Sequence, residues 1–121
     1  MVNASSLGTL RPFVYVAGPI TGRKNMNKAA FSRAMRGIHR VLTRWSVVVP
    51  HDLYRPSGAA RLCPGLSWCE AMAALLPIVE RADLVYMLTG WETSRGASRE
   101  YAHALSRGIP ILIEPSMNGG T

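Results

Sequence analysis

The chain has 121 residues and a mass of 13.2 kDa, which suits one domain and excludes two. Hydrophobic residues make up 48%, enough for a core without metal or disulfide and too many for wholesale disorder. The net charge of +7 is uneven: residues 1–61 carry ten Lys or Arg against the single acid Asp52, and residues 62–121 carry four Arg against six acids.

In chain order, residues 1–11 read as a flexible segment and 12–115 as the domain. Residues 13–17 (Phe-Val-Tyr-Val-Ala) form a short β-prone run stopped by Gly18-Pro19. Asn25 or Asn27 is positioned to cap the helix that follows. In that helix Phe31, Ala34, Met35, Ile38, Val41, Leu42 and Trp45 recur at helical spacing, and Arg33, Arg36, Arg40 and Arg44 lie off the stripe. Val47-Val48-Val49 reads as a buried strand ended by Pro50, and residues 50–66 read as a loop. A second helix is predicted over about 67–81, with a break near Leu76 because Pro77 lies inside it. Residues 83–88 make the third strand, and Thr89 to Arg95 a polar loop containing Gly90. A third helix over about 95–107 stops at Gly108, and residues 110–113 make a last strand. Residues 116–121 read as a flexible tail.

Strands alternating with helices predict an α/β fold: a single-domain, Rossmann-like parallel sheet in the flavodoxin-like order, with helices on both faces. In the order 2-1-3-4, ligands bind beyond the carboxyl ends of strands 1 and 3. That rule selects Gly18, Pro19 and Ile20 after the first strand, and the loop holding Trp91, Glu92 and Ser94 after the third. Ser94 and Gly96 open a helix, where a hydroxyl and a bare N–H suit a phosphate. The competing reading makes Ser94 an ordinary N-cap and Gly96 a packing glycine. Glu100 lies at the edge of the apolar face formed by Ala97, Tyr101, Ala104, Leu105 and Gly108. It is a candidate nucleophile or base, or else a surface partner of His103. Arg99 and His103 are expected to point away. Tyr15 either reaches the crevice or fills the core. Trp91 either stacks on a base or packs in its loop. Asp83 opens its strand at the far end of the sheet, where it is expected to cap or to pair with Arg81.

The basic first half points to an anionic partner: nucleic acid, a membrane surface or a phosphorylated small molecule. Cys63 and Cys69 make no disulfide framework, and with His39, His51 and His103 scattered no zinc site is expected. A reduced, cytosolic setting fits. The first twelve residues do not read as a signal peptide, and no apolar run is long enough to span a bilayer.

These segments together resemble the nucleoside 2-deoxyribosyltransferase superfamily, above all its small branch of uncharacterised proteins common in phage genomes. The likeness rests on Tyr15-Val16-Ala17-Gly18-Pro19-Ile20-Thr21-Gly22, Phe31, Val47-Val48-Val49-Pro50 and Trp68. It continues in Ala82-Asp83-Leu84-Val85-Tyr86-Met87-Leu88 and in Gly90-Trp91-Glu92-Thr93-Ser94-Arg95-Gly96-Ala97-Ser98-Arg99-Glu100, with Ala104 and Gly108. It runs from about residue 13 to 113. The resemblance implies a Rossmann-like fold and cleavage of the N-glycosidic bond of deoxynucleosides or their 5′-monophosphates, with no cofactor. It implies that Glu100 attacks the anomeric carbon, that Tyr15 orients its carboxylate, and that Ser94 and Gly96 hold a 5′-phosphate. It also implies a homo-oligomer, acting in the cytoplasm (the host's, if phage-encoded). One position departs. The family usually has an aspartate eight residues before the Ala-Asp pair, and here that position is Leu75, which cannot accept a hydrogen bond. Glu92, at the crevice end of the sheet, is the carboxylate available to replace it. Leu75 favours a second reading, a non-catalytic nucleotide-binding protein on the same fold. A nucleic-acid binder using the arginine row ranks third.

Overall fold

The computed structural model describes residues 11–54 and 68–115. The tail at 116–121, most of the N-terminal segment and the loop from 55 onward, including Cys63, lie outside the described residues, as does the Trp68 side chain.

Four parallel strands form one sheet in the order β2-β1-β3-β4. They are β1 (Phe13–Ala17), β2 (Ser46–Val48), β3 (Leu84–Met87) and β4 (Ile111–Ile113). Three helices connect them: α1 (Lys28–Val41), α2 (Trp68–Val79) and α3 (Arg95–Ser106). This is the expected Rossmann-like α/β architecture. β1 and β3 are central neighbours, in register from Val14 opposite Leu84 to Ala17 opposite Met87.

Successive side chains of a strand face opposite sides of the sheet. Val14 and Val16 therefore enter one apolar cluster, with Phe31, Ala34 and Ile38 of α1, Val49 and Leu88. Tyr15 and Ala17 enter the other, with Met72, Leu75 and Val79 of α2, Val85, Met87, and Ala97 and Ala104 of α3. β1 is buried on both faces, and β3 is buried on the α2–α3 face and partly covered on the α1 face, which explains their unbroken apolar runs.

Several boundaries differ from the sequence reading. Val49 leaves the β2 ladder because the Asp52 carboxylate takes its N–H at 3.2 Å. α2 runs through Pro77 to Val79 instead of breaking near Leu76. Pro77 lies two residues before the helix end; it has no N–H for Ala73 O, and the helix runs only to Val79 beyond it. The chain then tightens, with Arg81 N–H on Ile78 O and Ala82 N–H on Val79 O, both 3.1 Å. Val41 is 78% exposed rather than part of the α1 stripe, because it ends the helix on the flank beside Gly37. Asp83 does not pair with Arg81 among the described residues. Its carboxylate accepts the Phe13 N–H at 3.0 Å, while its own N–H donates to Phe13 O at 3.0 Å, tying the amino ends of β1 and β3. Asn27 occupies the N-cap position of α1, yet its side chain makes no capping bond.

Candidate functional site

β1 runs directly into Gly18, and β3 is followed by a turn at Gly90. Gly18 is a close-approach position: a Cβ there would stand 2.7 Å from Leu88 Cδ1 and 2.8 Å from Leu88 Cβ. The two chains stay joined beyond the ladder, with Leu88 N–H donating to Ala17 O at 2.8 Å. Gly90 has φ +89, a conformation that favours glycine. Arg23, from the β1 loop, crosses to this turn and donates from Nη2 to Thr93 Oγ1 at 3.4 Å. Thr93 in turn donates from Oγ1 to Gly90 O at 2.8 Å. The two loops chosen by the switch-point rule thus meet at the carboxyl end of the sheet.

Beneath them lies Glu100, 3% exposed and the one buried charged side chain among the described residues. The Tyr15 hydroxyl donates to Glu100 Oε2 at 2.5 Å. Tyr15 is itself fully buried. Burial lifts the Glu100 carboxyl from its ordinary 4.5 to about 8, and the phenol hydrogen bond pulls the other way. Desolvation wins, so Glu100 is mostly protonated at neutral pH. A phenol that donates to this oxygen fixes the rotamer and favours the ionised form, as a carboxylate nucleophile or base requires.

Glu100 is more deeply set than its helical spacing suggested. The buried residues of α3 are Ala97, Glu100 and Ala104, so the carboxylate belongs to the buried face itself. Leu105, expected inside, is 60% exposed. His103 does not point away. It is partly buried between α2 and α3, its Nε2 3.1 Å from Glu80 Oε1, which Arg107 Nε also reaches at 3.2 Å. The surface Glu100–His103 contact is therefore ruled out.

Ser94 is the N-cap of α3, and its Oγ accepts the Ala97 N–H at 3.1 Å. Its hydroxyl proton remains available to a ligand, and Gly96 lies in the same first turn. Trp91 stacks on Tyr101, with ring centroids 4.5 Å apart and planes inclined by 26°. Glu92 is exposed in the turn Trp91–Thr93. Pro19 is buried at the crevice, and Ile20 packs against the α1-side cluster. Leu75 is 3% exposed in the cluster that contains Tyr15 and Ala97.

A second group is not visible in the sequence pattern. Asn25, Met26 and Asn27 all have positive φ, at 51°, 56° and 58°. Each left-handed non-glycine residue costs roughly 1–2 kcal/mol, so the turn must be held from outside. Asn27 Nδ2 donates to Pro19 O at 2.9 Å, and His51 Nε2 donates to Met26 O at 2.8 Å. Phe31 meets the same imidazole edge-on, with centroids 4.5 Å apart. Burial holds the His51 ring below its usual range. The only sequence signal for this arrangement was the Asn pair, which looked like a helix cap.

Among the described residues no His, Cys, Asp or Glu cluster could hold a metal ion, and no helix is long and apolar enough to cross a membrane. No curated protein matches the chain. A family model described as a domain of unknown function matches residues 12–113 and so takes in all four strands, both crevice loops and Glu100. The chain belongs to that family, DUF4406.

Proposed function

We propose that the protein cleaves the N-glycosidic bond of nucleosides or nucleotides, or transfers the deoxyribosyl group, with 2′-deoxynucleoside 5′-monophosphates as its substrates. The observation that carries this reading is the Tyr15 phenol hydrogen-bonded to a buried Glu100 carboxyl under the two crevice loops.

In this mechanism ionised Glu100 attacks C1′ as the bond to the base breaks. The electron pair leaves with the base, which takes a proton from water. Water then attacks C1′ and gives up a proton to solvent, the sugar–Glu100 ester opens and the carboxylate returns. If a second base replaces water, the outcome is transfer. Ser94 O–H and the Gly96 N–H, at the positive end of α3, suit the 5′-phosphate. The reading includes a homo-oligomer acting in the cytoplasm. Exposed Leu105 on α3 and Leu112 and Ile113 on β4 are apolar surface consistent with such contacts.

The test is chromatographic detection of free base from a panel of deoxynucleosides and their monophosphates. Glu100→Ala is expected to reduce release by about a thousandfold or more. Because the nucleophile must be ionised, kcat/KM should climb with pH and level off above about 8. A panel without base release or transfer ends the catalytic reading.

One observation favours a second reading, nucleotide binding without cleavage. Leu75, at the resembled family's aspartate position, is packed in the core beside Tyr15 and brings no proton-sharing group. Thermal stabilisation by a deoxynucleoside monophosphate without base release identifies that case.

A further inference from the structure

The α1 face turned away from the sheet carries a row of cations that the crevice does not use. Arg33, Arg36 and Arg40 are exposed and fall within an arc of about 60° at roughly 100° per residue. Arg44 continues the row in the turn after the helix and is also exposed. α1 contains no acidic residue. None of the four arginines forms an ion pair among the described residues. Asp52, the single acid of the first 61 residues, is engaged with the Val49 N–H.

Like charges at i,i+3 and i,i+4 cost a helix about 0.2–0.5 kcal/mol per pair. Arg33–Arg36 and Arg36–Arg40 are such pairs, so the bare row repels itself and an external polyanion relieves it. The opposite face of α1, Phe31, Ala34 and Ile38, is buried against the sheet. The helix therefore has no free apolar face to enter a lipid interface, as a membrane-surface helix would need. Among the described residues no exposed Phe, Tyr or Trp accompanies the row to stack on unpaired bases. What remains is a line of point charges about one helix turn apart, with nothing to read a base.

We propose that the outer face of α1 binds the phosphate backbone of double-stranded nucleic acid, without regard to sequence, through Arg33, Arg36, Arg40 and Arg44. The surface is separate from the Glu100 crevice and does not depend on its chemistry.

The experiment is fluorescence anisotropy of a labelled 30-base-pair DNA duplex titrated with the full chain between 25 and 200 mM NaCl. Four phosphate contacts give a slope of log K against log salt of about −3.6. R36E/R40E should lower the slope's magnitude by about 2 and weaken binding more than tenfold at 50 mM salt. R81E/R99E makes the same change in net charge at exposed positions away from the row, and it should lose less than threefold. Circular dichroism melts check that both variants fold. The proposal is overturned if the wild type does not bind at 25 mM salt. It is equally overturned if both variants lose affinity alike, or if vesicles containing phosphatidylserine bind the chain more tightly than the duplex does.

Discussion

The two faces of the sheet solve the same packing problem with different chemistry. On the α1 side the fully buried residues are apolar, with the His51 imidazole at their margin against Phe31, and the arginines stay outside. On the α2–α3 side the same strands cover a carboxyl group, held by one phenol. A buried ionisable group works against stability unless it keeps its proton or finds partners. The α1 side is thus built for cohesion, and the α2–α3 side gives up some cohesion to hold a reactive group.

That contrast breaks most sharply at Phe31. Phe31→Ala should cost about 3–5 kcal/mol in urea unfolding while leaving the Glu100 titration in place. If Glu100 moves as well, the faces are not independent. The next largest effect is pH dependence. Between about 4.5 and 8 the unfolded chain has lost the Glu100 proton and the folded chain keeps it. Stability from this group is complete below 4.5, falls as pH rises through the window and levels off above about 8. Glu100→Gln should flatten that decline, as read by urea midpoints at pH 5 and pH 9. Gly18→Ala comes third. Its Cβ would overlap Leu88, and overpacking of that kind costs about 1–3 kcal/mol. Tyr15→Phe is the smallest, about 1 kcal/mol at pH 5. It should also push the Glu100 titration above 8, because the lost hydrogen bond favoured the ionised form. A titration that moves down instead would remove Tyr15 from its orienting role.

Much of the fold is legible in the chain itself. Apolar runs at 13–17 and 84–87, each ending near a glycine, give the central strands and hence the crevice loops. Glu100 was legible as a candidate but not in its depth. Its neighbours at the required spacing, Ala97 and Ala104, are small, so the true face looked narrow and Leu105 looked like its better member. Packing against β1 and β3 favours alanines there, because they let the helix approach closely. The His103–Glu80–Arg107 cluster lay beyond reach because it joins two helices whose relative position no local pattern encodes. The Asn27 side chain departs from its local pattern for a related reason. A cap is a local bond, and Asn27 instead serves a carbonyl eight residues back.

The left-handed turn at 25–27 ties the crevice to a distant part of the chain. Pro19, at the crevice, hangs from Asn27, and Met26 hangs from His51 just beyond β2. The β1 loop is therefore shaped like a bridge moored on the neighbouring strand, its span set by an imidazole that never enters the crevice. Loosening that mooring gives a way to reshape the β1 loop without touching Tyr15 or Glu100.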